Sequence, residues 1–500
     1  MVLFGSALFA QQCPILPLPN RCVFNNSVFA LDQNTTIGTS QTPLQPMAVF
    51  LQQELLRYKS LTLTIQPLSV KPAIVLSLNN HKAGVPGAYT LQMSAKEVKI
   101  SAASTEGVFY GIISFLQLVQ LSPDKSFPLR VGCWSIDDAP KYQWRGLMLD
   151  ESRHFFGKQK VKSLLDWMAY YKLNRFHWHL TDEPGWRLEI KQYPKLTLVG
   201  GIGNYTDSIA PATYYTQDDI KEIVTYAAQR QITVIPEVDM PGHATALNKA
   251  YPEYRGGGSV KHPDFTINPG KEESYAFLTN ILKEVDVLFP SKMIHIGGDE
   301  VSFGSDKWID DKLVKNLMQT KNLRNIKDVE EYFNKRMADS VFKLNSKVLG
   351  WDEIAGVNLP ADKTIIFWWR QDKPKQLDQA INKGYNVVLC PRLPFYFDFV
   401  QDSVHVNGRK WDGKFNSVQD VYNFTWASFA GLKGKGKQVL GIQANIWTET
   451  IATNQRLDYM LFPRICALAE AAWSKDDGHD YQVFKTRLRQ FAGRLPYYNS

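Results

Sequence analysis

Cysteine is scarce and unpatterned in this 500-residue sequence: there are five, an odd number, so at least one has no partner within the chain. Cys133, Cys390 and Cys466 lie far apart, and no CxxC pair or Cys/His cluster occurs, which removes a structural zinc site from the expected features. Cys13 and Cys22 flank a short Pro-rich segment, a spacing able to close a small loop in an oxidising compartment; the sequence leaves that pairing open. Basic residues outnumber acidic ones 57 to 49, for a net charge of +8, yet no dense Lys/Arg block with interleaved aromatics occurs. The charge is dispersed, and a nucleic-acid partner is not expected. No stretch reaches the roughly 20 apolar residues needed to span a membrane. The apolar segment Met1 to Ala10 reads as the tail of an export signal without its basic leading region, so a secreted or periplasmic protein is expected.

What is abundant is aromatic. Phe, Trp and Tyr make up 12% of the chain, with thirteen Trp, enough to furnish flat ligand surfaces as well as core. Hydrophobic content of 44% and charged content of 21% are those of a soluble globular protein, and the length calls for two or three domains. Residues 1–21 read as the signal remnant and an N-terminal segment. Residues 22–139 mix strand patterns (Leu61 to Ile65, Ala73 to Leu78, a hairpin-like pair over Tyr89 to Ile100) with a helix over Thr105 to Leu121, a small α/β domain. Asp137 to Lys141, polar and with a Pro, reads as a linker. Residues 140–475 change rhythm: eight short apolar strands alternate with helical stretches such as Lys158 to Tyr171 and Gln217 to Arg230. The strands are expected at Gly146 to Asp150, Arg175 to Leu180, Thr233 to Val238, Met293 to Ile296, Lys347 to Gly350, Thr364 to Trp368, Asn386 to Leu389 and Val439 to Ala444. The pattern predicts an α/β fold, a (β/α)8 TIM barrel. Residues 476–500 are expected to close the chain with a helix, Tyr481 to Leu495, packed on the barrel.

In such a barrel the chemistry sits at the C-terminal ends of the strands. Those ends read Asp150-Glu-Ser-Arg-His154, His177-Trp-His-Leu-Thr-Asp-Glu183, Glu237-Val-Asp-Met-Pro-Gly-His243 and Gly297-Gly-Asp-Glu300, then Trp351-Asp-Glu353, Trp368-Trp-Arg370, Tyr396-Phe-Asp398 and Asn445-Ile-Trp-Thr-Glu449. A single charged residue there would read as a surface loop, and a single Trp as core. Carboxylates, Arg, His and Trp recurring at every strand mouth read as a site.

The segment Met293-Ile-His-Ile-Gly-Gly-Asp-Glu-Val301 resembles the signature of family 20 glycoside hydrolases, the β-N-acetylhexosaminidases. Arg145 to Phe155, His177 to Asp182 with Gly185-Trp-Arg187, and Pro241-Gly-His243 extend the resemblance over the whole barrel, and the first domain looks like the one that usually precedes it. The resemblance implies an exo-acting, retaining enzyme that needs no cofactor or metal and acts on glycans ending in N-acetylglucosamine or N-acetylgalactosamine. The substrate's own 2-acetamido oxygen would be the nucleophile. Asp299 would orient the acetamido group and stabilise the oxazolinium-like intermediate; Glu300 would protonate the leaving oxygen and then deprotonate water. That division asks for an ionised Asp299 and a Glu300 with raised pKa. Adjacent side chains on a strand point oppositely, so both can face one pocket only if Gly297-Gly298 bends the chain away.

By the same resemblance Arg153, Asp398 and Glu449 would grip sugar hydroxyls, with Glu449 as the floor of a closed pocket. Asp182 would be an active-site carboxylate, supported by His179. Asp239 and His243 would form a polar network near the acid/base. Trp351, Trp369 and Trp447 would wall the acetamido methyl and the ring, and Tyr396 would hydrogen-bond the acetamido oxygen. Glu183-Pro184 departs from the acid–amide pair of the resembled pattern. Three rivals stand beside this reading. A metal-dependent barrel hydrolase would use His177, His179, Asp182, His243 and Asp299; a non-catalytic glycan-binding relative would keep the pocket alone; a related exo-glycosidase would release a disaccharide. Sugar preference, glycan source and oligomeric state are not legible.

Overall fold

The computed structural model describes residues 12–39, 41–79, 84–124, 126–404, 409–410, 413–426, 429, 432–476 and 480–491. The expected signal remnant over residues 1–10 and the last four residues of the expected closing helix lie outside the described residues. The chain forms two compact units: residues up to Gln143 with Ala169–Lys172 and Ala469 onward, and Trp144–Met168 with Leu173–Leu468.

The first unit is built on a seven-stranded sheet. Arg21–Leu31, Leu129–Asp138, Tyr89–Met93 and Val98–Ala102 pair antiparallel in that order. Ile74–Leu78, Thr36–Gly38 and Thr64–Gln66 then add in parallel. The helix Thr105–Leu121 spans the residues its periodicity predicts, with the Ser104 side chain capping the Gly107 N–H. It lies close on the sheet: a Cβ on Gly111 would stand 2.5 Å from a methyl of Ile100. Two expectations change here. Asp137 and Asp138 are not linker but the end of the strand Leu129–Asp138. Asp138 is fully buried, accepting from the Tyr89 hydroxyl at 2.8 Å and the Trp473 indole N–H at 3.0 Å, with the Lys172 ammonium at 3.4 Å. A polar residue reads as loop in sequence, yet it goes inside where donors surround it. The closing helix, Tyr481–Phe491, belongs to this first unit rather than to the barrel: buried Arg487 donates to the Ile15 carbonyl at 2.9 Å and pairs with Glu470.

The second unit is a closed barrel of eight parallel strands. Trp144–Asp150, Arg175–His179, Thr233–Glu237, Met293–His295, Lys347–Trp351, Thr364–Trp368, Asn386–Leu389 and Val439–Ile446 each pair with the next, and the last pairs with the first to close the ring. Every expected barrel strand is present within two residues at either end. The helices follow from amphipathic spacing and caps. Gln217–Ala228 opens with a reciprocal Thr216/Asp219 capping box and buries Ile220, Ile223 and Ala227 along one stripe. The interior is filled by Trp144, Ile235, Leu349, Phe367 and Val388 among others, together with a buried polar layer: His177, His179, Glu237, His295 and Gln443. Among the described residues, no helix is long and apolar enough to cross a membrane.

Candidate active site

The fourth barrel strand ends at His295, and the chain then turns through Gly297 at φ +66° and Gly298 at φ +90°, conformations that glycine adopts without steric cost. Glu300 itself sits at φ +49°, left-handed backbone that costs a non-glycine residue roughly 1 kcal/mol. The bend turns Asp299 and Glu300 toward one imidazole: His243 Nε2 stands 3.5 Å from Asp299 Oδ2 and 3.5 Å from Glu300 Oε2. A 3-10 turn, Val301–Phe303, follows, but the Glu300 side chain does not cap it. The two carboxyls differ in depth. The Asp299 side chain is 11% exposed and that of Glu300 34%, so Asp299 lies at the bottom of the pocket and Glu300 at its mouth.

His243 is held from behind. Its Nδ1 donates to Asp182 Oδ1 at 2.9 Å. Asp182 also accepts from His179 Nε2 at 2.8 Å and Arg153 Nη2 at 2.8 Å, while the other nitrogen of His179 donates to Glu237 at 2.6 Å. Asp182 ends a two-residue strand paired with Gly185, and Glu183-Pro184 forms the turn between them, where Pro's missing N–H costs no ladder bond. Arg153 is fixed by Asp150, which closes the first barrel strand: Asp150 accepts the Arg153 backbone N–H at 3.0 Å and lies 3.4 Å from its guanidinium. The guanidinium lies 5.2 Å over the Trp447 ring.

The side chains expected as aromatic walls are equally braced, with Trp351 buried in the barrel core and Trp369 and Trp447 packed against that cluster. The Trp351 indole donates to Glu237 Oε1 at 2.8 Å. The Trp369 indole donates to Glu353 Oε2 at 3.1 Å, and its backbone N–H to Asp352 at 3.1 Å; Arg370 pairs with both acids. Trp369 stacks parallel to Tyr396 with ring centroids 6.2 Å apart, and Trp447 lies 5.9 Å from Trp351 and 6.2 Å from Tyr396. Tyr396 is placed by a parallel bridge to Asn445 in the last barrel strand. Asp398 and Glu449 share Arg409, which pairs with Glu449 and lies 3.7 Å from Asp398.

Charges in the pocket follow from these contacts. Burial alone would push Asp182 up, but Arg153, His243 and His179 outweigh it and hold the carboxyl well below its usual range. Burial would strip His179 and His243 of their protons, yet the carboxylates around them keep both well above the usual histidine value. Asp239 is pushed up to about 7 by burial, and so is Asp398, with Glu449 adding repulsion. The expected division between Asp299 and Glu300 is reversed. Burial and the neighbouring Asp239 raise Asp299 well above its usual range; burial works against Glu300 too, but the His243 cation 3.5 Å away carries it below. Asp239, expected in a polar network near the acid/base, lies close enough to repel Asp299 and accepts the Gly298 N–H at 3.3 Å.

Four buried polar atoms of these residues have no hydrogen-bond partner among the described residues: His243 Nε2, Asp299 Oδ1, Asp398 Oδ1 and Glu449 Oε2. Three are carboxyl oxygens. A pocket rich in acceptors and walled by indoles calls for a ligand that brings N–H and O–H donors and an apolar face. The set proposed for a metal does not converge. His177 lies with Glu237 and His295, apart from the group of Asp239, His243 and Asp299, and His179 spends both nitrogens on Glu237 and Asp182. Sequence reasoning missed Glu237, Glu353, Arg370, Arg409 and Asp150. Of these Asp150, Glu237, Glu353 and Arg370 carry a signal, as part of strand-mouth motifs, and Arg409 carries none.

Residues 142–476 match the family model described as "Glycosyl hydrolase family 20, catalytic domain", and residues 12–139 match "Glycosyl hydrolase family 20, domain 2". The chain is 33% identical over 496 residues to a beta-hexosaminidase of Porphyromonas gingivalis, covering 96% of this chain and 63% of that protein. It is 32% identical over 482 residues to a beta-hexosaminidase of Vibrio furnissii, covering 92% and 76%. Among solved structures it is similar to the exo beta-N-acetylglucosaminidase of Vibrio harveyi in complex with N-acetylglucosamine (TM-score 0.89, 32% identity, 97% of this chain and 77% of that one). It is also similar to the N-acetyl-beta-hexosaminidase of Streptomyces plicatus in complex with Thio-NAglucal (TM-score 0.84, 28% identity, 96% and 94%). With the two family models matching residues 12–139 and 142–476 and these relatives along nearly its whole length, the chain belongs to glycosyl hydrolase family 20.

Proposed function

We propose that the protein is an exo-acting, retaining β-N-acetylhexosaminidase that releases terminal β-linked N-acetylglucosamine or N-acetylgalactosamine through participation of the 2-acetamido group. The carrying observation is the convergence of Asp299 and Glu300 on His243 at 3.5 Å each, one at the bottom of the pocket and one at its mouth. A sugar seated with its 2-acetamido group among Trp351, Trp369 and Trp447 brings the amide N–H to the unpartnered oxygen of Asp299. Its carbonyl oxygen, steadied by the Tyr396 hydroxyl, attacks the anomeric carbon. Glu300, facing the leaving group, gives its proton to the departing oxygen. Water deprotonated by the same residue then opens the oxazolinium ion with overall retention. Arg153, Asp398 and Glu449 hold hydroxyls at the closed end, which favours release of one sugar over a disaccharide.

The inverted protonation of the two carboxyls fits this sequence. Asp299 and Glu300 repel each other, so only one ionises cheaply. An amide N–H donated to Asp299 favours its anion, and the charge created there raises Glu300 and leaves the proton where the leaving group needs it. The test is release of 4-nitrophenol from its N-acetyl-β-glucosaminide, and from a substrate with an unactivated sugar leaving group, by wild type and Glu300→Gln. Turnover of the unactivated substrate is expected to fall by about 10³-fold or more with binding retained. Unchanged turnover would refute the assignment. N-acetylglucosamine thiazoline, which mimics the cyclised intermediate, is expected to bind more tightly than N-acetylglucosamine by a factor of about 10² or more; equal affinity would refute acetamido participation.

A further inference from the structure

Glu237 ends the third barrel strand with no exposed surface and four ring nitrogens around its carboxylate. His179 Nδ1 donates to it at 2.6 Å and Trp351 Nε1 at 2.8 Å; His177 Nε2 and His295 Nδ1 stand 2.9 Å away. Two of these contacts lead to different parts of the pocket. Through His179 the chain of contacts runs to Asp182, then His243, then Asp299 and Glu300. Through Trp351 it runs directly to a wall of the acetamido pocket. The two branches use different oxygens, Oε2 toward His179 and Oε1 toward Trp351. A fully buried carboxylate is costly unless charge-assisted donors surround it, and both of these donors belong to side chains whose orientation the site needs.

Resting on the functional reading above, we propose that Glu237 is a positioning residue that couples the two halves of the reaction: it fixes the indole of Trp351 against the acetamido group and, through His179, keeps the His243 imidazolium presented to Asp299 and Glu300. Burial would raise the Glu237 carboxyl, but the three imidazoles around it hold it well below the usual range, so it is a standing anion. The line Glu237, His179, Asp182, His243, Asp299/Glu300 thus alternates in sign, and each cation in it owes its proton to the anions on either side. Removing the first anion lowers the proton affinity of His179, whose hold on Asp182, the carboxylate that orients His243, depends on that proton. A neutral amide at this position also turns its NH2 toward one of the donors that the carboxylate accepts from, so one branch must swing away.

The decisive variant is Glu237→Gln, read in two independent ways. The basic limb of kcat/KM on 4-nitrophenyl N-acetyl-β-glucosaminide is expected to move about one pH unit toward acid, because His179 loses its proton sooner and releases Asp182. The affinity for N-acetylglucosamine thiazoline at fixed pH is expected to fall about tenfold, because the Trp351 wall is released. Both changes together support the coupling; a folded variant showing neither, or only one, overturns it. Should Glu237→Gln not fold, two single-branch variants decide. His179→Gln should move the pH limb and leave thiazoline binding unchanged, and Trp351→Phe should weaken thiazoline binding and leave the limb in place. If neither variant moves its own readout, the proposal fails. A wild-type protein without turnover or thiazoline binding would instead overturn the functional reading itself.

Discussion

Asp299 and Glu300 are neighbours in the chain and share a histidine, yet their surroundings separate them. Asp299 has burial and a second carboxyl, Asp239, working against its anion, whereas Glu300 reaches toward solvent beside the His243 cation. In the proposed complex the repulsion between them is what keeps Glu300 protonated. Asp299→Asn removes that neighbouring charge, so Glu300 ionises at lower pH. The basic limb of kcat is therefore expected to move toward acid by roughly one unit, on top of the loss of rate. A limb that stays in place or moves toward base would show that the two carboxyls do not share the proton.

At the scale of one element, the site depends on how the fourth barrel strand stops. Three residues, Met293–His295, pair in the barrel before the backbone leaves the ladder at Gly297 and Gly298. A Cβ on Gly298 would stand 2.4 Å from the Ile354 methyl Cγ2, and one on Gly297 would collide with the Asp239 carboxyl at 1.7 Å. Gly298→Ala combines that clash with a φ of +90° that alanine resists. Stability is expected to drop by about 2–3 kcal/mol. The carboxyls move with the bend, and because a shift of about 1 Å costs on the order of 10²-fold in rate, kcat should fall comparably. Chemical denaturation paired with kinetics checks both, and a variant with wild-type stability and rate would show that the bend is not set by these glycines.

On the scale of the whole molecule, buried carboxyls set an acid and an alkaline border to stability. Glu151, Asp239 and Asp398 are all pushed by burial to about 7. Folding keeps them neutral, so the stability linked to them is complete below about pH 4, where the unfolded chain is also protonated, and is lost as pH rises from there through 7. Asp182 and Glu237 act in the opposite sense: their stability is present above about pH 4.5 and lost as pH falls through their depressed folded values. Tm is therefore expected to peak at about pH 4 to 4.5 and to decline on both sides, by scanning calorimetry. A maximum in alkaline solution would contradict this distribution of protons.

What the sequence determined is what short-range physics controls. Alternation of short apolar strands with amphipathic helices is enough to specify a barrel, and a barrel puts the ends of its strands on one face. Reading the residues after each strand therefore brought Arg153, Asp182, His243, Trp351, Tyr396 and Glu449 into one candidate site, and the paired glycines announced the bend before Asp299. Periodicity could not show that Asp138 ends a strand or that Arg487 ties the closing helix to Ile15, because a buried charge carries no apolar signal. Nor could it single out Glu237, which reads as an unremarkable strand end after Ile235-Pro236. Its partners His179 and Trp351 lie 58 and 114 residues away in sequence and meet it only when the barrel closes. The same closure brings Asp239 beside Asp299 and so decides which of the two carboxyls holds a proton. Composition and spacing supply the groups; desolvation and the field of neighbours, which exist only in the folded chain, assign their charges.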